Sequence, residues 1–187
     1  RETEQLSAVG LSKAAIEMEM LRTLQQGYVV GFIFLCIGPL AALSYRLVLE
    51  MHYQWNIKLA KFSHFGFYAN LVVKLFQWLP VRIFSLCLIG LSIGRNFVLF
   101  WRLSKGYFFQ LNNNLAISLL ALNLGVKLGG VAMYDKEKLR RVNFNDRAQQ
   151  PNITDIIHAN KTIKMVIWLS LGGIIFCAAV LNALATK

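Results

Sequence analysis

The chain has 187 residues, of which 56% are hydrophobic and only 16% charged, with a mean hydropathy of +0.49. A soluble domain of this length carries about 45–50% apolar and about 25% charged residues, so the balance weighs against one and points to a small membrane bundle. Twenty Lys and Arg against nine Asp and Glu give a net charge of +11; beside so much apolar sequence, that excess reads as juxtamembrane charge, with no nucleic-acid partner expected.

Residues 1–26 are polar and helix-forming. Leu6, Val9, Ala14, Ile16, Met20 and Leu24 recur at helical spacing, with Glu17, Glu19 and Arg22 between them. This predicts an amphipathic helix lying on, or docked beneath, a membrane. The first residue is Arg1 and no secretory pattern opens the chain, so either a fragment or a processed chain is expected.

Gly27 to Leu49 is the first strong span, with 19 residues before its first charge, Arg46. A hydrocarbon core of about 30 Å needs roughly 20 apolar residues in a helix. Pro39 is expected to kink that helix, and Tyr45 and Arg46 suit a membrane interface. Residues 50–79 mix bases with aromatics and read as interfacial helices. A second apolar run follows over 80–101, opened by Pro80. Its uncharged part, Ile83 to Gly94, is short, so a full span and a re-entrant half-span are both expected forms.

Residues 102–164 form a basic segment, with nine Lys and Arg after Arg102 against four acids. Its core is a patterned run, Leu124-Gly125-Val126-Lys127-Leu128-Gly129-Gly130, then Tyr134, Arg140 and Arg141, and later Pro151 and Asp155. Gly129 and Gly130 break a helix and let backbone approach a ligand without a Cβ in the way. Backbone N–H groups beside Lys127, Arg140 and Arg141 suit a phosphate. A tight turn with positive-inside charge explains the same residues more plainly. Thr154 or Asp155 is placed to cap the helix that follows. Met165 to Ala185 is the cleanest span, without a charge. Residues 27–187 thus read as one membrane domain. If the second run crosses, 1–26 and 102–164 share one side, the cytoplasmic one. The class expected is all-α, a multi-span helical membrane protein with interfacial amphipathic helices.

Cys36, Cys87 and Cys177 lie far apart in apolar stretches, and His52, His64 and His158 fit no helical metal pair. No metal site is expected from spacing.

Several of these pieces resemble the CobD/CbiB membrane proteins of cobalamin biosynthesis. Arg1-Glu2-Thr3, Ala14-Ala15-Ile16-Glu17, Ser44-Tyr45-Arg46, His64-Phe65-Gly66 and Trp78-Leu79-Pro80-Val81-Arg82 are similar to that family's motifs. So is the run from Leu124 to Asp135, followed by Asp155-Ile156 and Ala159-Asn160. The resemblance implies a fragment, with a missing amino-terminal portion of the same protein, and for the whole a bacterial inner-membrane, multi-pass enzyme. It would join adenosylcobyric acid, its corrinoid substrate, to aminopropanol phosphate, forming adenosylcobinamide phosphate with ATP and Mg²⁺. On it, Glu17 takes a cation or amine role, Asn112 orients substrate and Lys127 contacts phosphate. Gly129, Gly130, Tyr134, Arg140 and Asp155 complete the expected ligand surface. The chain departs from the family where Gln26 stands for an Asp, and where Gln110-Leu111-Asn112 stands for Ser-Pro-Asn. An amide neither matches a carboxylate toward a hard cation nor acts as a base near pH 7. The alternative reading is a catalytically inactive sensor or regulator on the same scaffold, resembling the AmpE-like branch.

Overall fold

Ser7 starts the first helix by accepting the Gly10 N–H on its Oγ at 3.3 Å. In the computed structural model, which describes residues 7–55, 62–91, 105–110, 113–134 and 137–185, that helix is α1, Ala8–Arg22. A π-helical turn, Thr23–Tyr28, passes it into α2, Val29–Cys36. Ile16, Met20, Leu24 and Tyr28, spaced by four, are buried in the main core. The helix expected to lie on a membrane surface therefore packs one face into protein.

The single kinked span expected over 27–49 is two helices. Gly38, at φ +121°, reverses the chain and Pro39 is the first residue of α3, Pro39–Gln54. Proline costs least there, since a first-turn N–H has no helical partner anyway. The two helices fold back on each other. Val29 and Ile33 pack against Ala42, Tyr45 and Leu49, with Val73 from the next helix closing the cluster.

That next helix, α4, runs Ser63–Leu91 with Pro80 inside it. Pro80 was expected as a helix start, and residues 63–79 as interfacial pieces. Both belong to one continuous helix, in which a proline is tolerated when neighbours re-satisfy the freed carbonyl. The far end of the run expected over 80–101 lies outside the described residues. Helix α5, Asn114–Leu124, is buried along Leu115–Ala121. It ends in a left-handed Gly125 (φ +68°), whose N–H goes to Leu122 O while Val126 N–H reaches Ala121 O.

Strands β1, Leu128–Tyr134, and β2, Glu137–Phe144, then pair antiparallel, with an irregularity between Gly129 and Val131. An all-α class is corrected to that extent: the fold is mostly helical and carries a β-hairpin. Helix α6, Ile153–Ala185, closes the chain; it starts beside the cap expected at Thr154 or Asp155 and runs without a break into the span expected over 165–185. Residues Ala159, Ile163 and Val166 of α6 join Val81, Phe84 and Leu88 of α4 and Leu115, Leu119 and Leu120 of α5 in the main core. Each fully buried Leu or Ile there contributes roughly 1.5–3 kcal/mol. Among the described residues, two helical stretches are long and apolar enough to cross a membrane, Gly66–Leu91 and Ile153–Phe176.

Candidate functional site

Gly129 N–H donates to Glu17 Oε1 at 2.8 Å, a buried bond across 112 positions of sequence. Each end explains itself locally. Glu17 lies on the buried face of α1 with Ala14, Ile16 and Met20, and is 3% exposed. A carboxylate so placed needs strong donors. Gly129 supplies one because its φ of +82° turns the first residues of β1 away from regular pleat. That conformation and the space both demand glycine: an added Cβ would meet Val142 O at 2.2 Å. Gly130, at φ +95°, has Asn143 Oδ1 at 3.2 Å from the same construction.

Two lysines flank this contact. Lys127 donates its backbone N–H to Gln149 O at 2.8 Å, fixing the segment just before β1. Its Nζ pairs with Asp146 Oδ1 at 2.7 Å. Lys13 stands one helical turn before Glu17 on α1. Burial pushes the Lys13 ammonium below the usual lysine range, the like charge of Lys127 adds to that, and Glu17 opposes it. Lys13, Glu17, Lys127 and the Gly129 backbone therefore form one cluster. Lys13 and Lys127, the latter paired with Asp146, stand beside a glycine-lined strand entry, an arrangement of cations and backbone N–H that suits an arriving anion.

The structure thus brings together Glu17, Lys127, Gly129 and Gly130, four of the residues singled out from sequence. It places Asp155 differently. Asp155 Oδ2 accepts the Asn152 N–H at 2.7 Å and its own N–H goes to Asn152 O, so this acid caps α6. Tyr134 and Arg140 sit in the hairpin, in register with Glu137 and Val131. Asn112 lies outside the described residues. Sequence reasoning missed Lys13 and Asp146. The signal for Lys13 was available, since positions 13 and 17 share a helix face.

Eight residues along from Glu17, a second polar cluster crosses the helices. Gln77, 2% exposed on α4, donates from Nε2 to Tyr45 Oη at 2.9 Å and accepts from Asn113 Nδ2 at 3.1 Å. Tyr45 Oη donates in turn to Gln25 O at 3.2 Å. One turn further along α4, Arg82 is buried between the rings of Trp78 and Phe108, each centroid 5.5 Å from Cζ. It donates from Nε to Phe108 O and from Nη2 to Gln110 O, holding the 105–110 segment against α4. The Trp78–Arg82 motif therefore has a structural use.

A divalent cation needs several oxygen donors converging on one point. Here Glu17 faces Gly129, Asp146 faces Lys127 and Asp155 faces Asn152. Among the described residues, no group of three or more His, Cys, Asp or Glu side chains is placed to hold a metal ion. These acids do not by themselves fit a Mg²⁺ site.

Comparison with known proteins follows the same lines. The family described as "CobD/Cbib protein" matches residues 1–163. "Cobalamin biosynthesis protein CobD" of Chromobacterium violaceum is 27% identical over 169 residues, covering 90% of this chain and 54% of that protein. The protein of the same name from Stutzerimonas stutzeri is 28% identical over 159 residues, 85% of this chain and 52% of that one. The one from Clostridium perfringens is 23% identical over 178 residues. The chain spans about half the length of these curated relatives. No solved structure is a significant match.

Proposed function

The chain belongs to the CobD/CbiB family, and from that premise we propose that it forms part of a cobalamin-biosynthesis protein of the bacterial inner membrane. The reaction proposed is the joining of aminopropanol phosphate to adenosylcobyric acid, giving adenosylcobinamide phosphate. ATP, as Mg·ATP, would supply the driving force for the amide bond. The metal would need donors beyond the three acids already engaged, so no step is assigned through it.

The observation that carries the reading is the Glu17–Gly129 contact flanked by Lys13 and Lys127. Lys13 and Lys127 would hold the phosphate of the amine substrate. Glu17 fixes the glycine turn beneath it, keeping the backbone and both ammonium groups in one geometry. Membrane residence is supported by the two long apolar stretches and by the large side chains they turn outward, among them Leu75, Leu86, Trp168 and Phe176. The names of the relatives give no support to the regulator reading.

The test is a synthase assay on the full-length protein in detergent or lipid, with aminopropanol phosphate and unphosphorylated aminopropanol compared as substrates. A charge-assisted hydrogen bond is worth about 1.5–3 kcal/mol. Lys13→Ala and Lys127→Ala should therefore each raise KM for the phosphorylated amine by about 10- to 100-fold, with little change for the unphosphorylated one. Equal effects on both amines, or none on either, would remove the phosphate from this cluster. No product at all from the wild-type protein with ATP and Mg²⁺ present would remove the enzymatic reading.

A further inference from the structure

Helices α2 and α3 carry apolar sequence suited to hydrocarbon, yet their geometry cannot cross it. From Gln25 to Ile37 the helical path climbs twelve residues, about 18 Å at about 1.5 Å each, against a hydrocarbon core of about 30 Å. The chain then turns at Gly38 and comes back. Both ends of the excursion are tied at one level: Tyr53 Oη donates to Gln25 Oε1 at 2.8 Å. A crossing helix would put residues 25 and 53 on opposite faces of the membrane. Here their side chains touch.

The far end of this hairpin is built for lipid. Phe34, Leu35, Ile37, Leu40 and Leu43 are all more than half exposed, with Leu40 at 80%. Charge is confined to the other end, where Arg46 and Glu50 pair at 2.7 Å. The turn itself leaves few backbone donors for water to satisfy. Ile37 and Gly38 N–H both reach Ile33 O, Ala42 N–H reaches Gly38 O, and Pro39 has no N–H. That matters because an unpaired N–H in hydrocarbon costs several kcal/mol. The inner faces of the pair are closed by Val29, Ile33, Ala42 and Leu49, so the outward apolar residues are not needed for its own core.

We propose that α2 and α3 form a re-entrant hairpin that enters the acyl region from one membrane face and returns to that face, with lipid acyl chains as the partner of its tip. The proposal rests on the membrane reading above and adds a topology to it. Residues on either side of the hairpin share one aqueous compartment, so α1 and the start of α4 lie on the same side. The hairpin's base also holds Gln25 and Tyr45, which bind to Gln77 of α4. It is anchored sideways to a span-length helix.

Cys36, a free and exposed thiol at the tip, is a native probe. In the full-length protein in native vesicles, with Cys87 and Cys177 replaced by Ala, a membrane-impermeant maleimide should leave Cys36 unmodified from either side and label it once detergent is added. In the same background lacking Cys36, Thr23→Cys and Gln54→Cys should label from one and the same side. Labelling of those two from opposite sides would show a crossing and overturn the proposal. Labelling of Cys36 in intact vesicles would show a hairpin outside the acyl region and overturn it too. Release of the whole protein by alkaline carbonate is a separate readout: it would defeat the membrane reading itself, whatever the labelling pattern.

Discussion

At Gly129 two independent demands coincide, a φ of +82° and a carbonyl that an added Cβ would meet at 2.2 Å. A left-handed residue with a side chain costs roughly 1–2 kcal/mol by itself, and the Val142 carbonyl belongs to the paired strand and has little room to yield. Gly129→Ala should lower unfolding stability by about 2–4 kcal/mol in a detergent thermal melt. Gly31→Ala, a helical position with open space around it, should move it by less than about 1 kcal/mol. Equal melts would mean that the hairpin entry does not hold this conformation. Lys13 gives a pH signature. Its folded pKa is depressed below the ordinary value of 10.5, so the folded state binds that proton less tightly than the unfolded one. The cost is fully present below the lowered value, and stability contributed by this group rises as pH climbs from that value toward 10.5. Lys127→Met removes a like charge and should raise the Lys13 pKa, whereas Glu17→Gln should lower it further. Titration of isotopically methylated lysines by NMR reads both shifts, and movement in the same direction for both variants would break the assigned cluster.

At the scale of elements, what the sequence showed depended on whether a signal was local. Apolar content, the helix over Met165 to Ala185 and the cap at Asp155 were legible because each rests on neighbours within one turn. Gly129, Gly130 and Lys127 stood out in the sequence through their pattern, although the partner of Gly129 did not. Nothing local announces that Glu17 lies 112 positions away and 2.8 Å distant. The β-hairpin was missed because Glu137, Lys138, Arg140 and Arg141 read as loop charge, and because two glycines in a row read as a stop rather than an irregular strand entry. Pro39 and Pro80 exchanged their expected roles. The first opens a helix and the second sits inside one. Pro39 avoids the i−4 carbonyl penalty by standing at a helix start, where α3 folds back on α2, while the helix around Pro80 continues packed against α5 and α6.

For the molecule as a whole, the decisive question is what the outward faces of the long helices meet. In Ile153–Phe176 only 22% of the span-length window is buried, against 50% in Gly66–Leu91. A core helix of a soluble protein would show the opposite. Leu169, 49% exposed, stands midway along α6 with Trp168 exposed beside it, while Ser170 and Val166 turn inward. A lysine there distinguishes the two solvents sharply. On a helix facing water, Leu169→Lys would change stability by no more than about 0.5 kcal/mol. At the centre of a helix facing acyl chains, the same lysine costs about 2.5–3.5 kcal/mol of insertion free energy. The fraction of full-length protein resisting alkaline carbonate should then fall steeply for Leu169→Lys, and remain at the wild-type level for Leu169→Ile. Because the side chain leaves the main core untouched, loss of membrane retention cannot be ascribed to an unpacked interior. A Leu169→Lys protein that stays in the membrane as fully as wild type would place this face of α6 against protein or water. The bilayer would then lose its strongest claim as the partner of this fold.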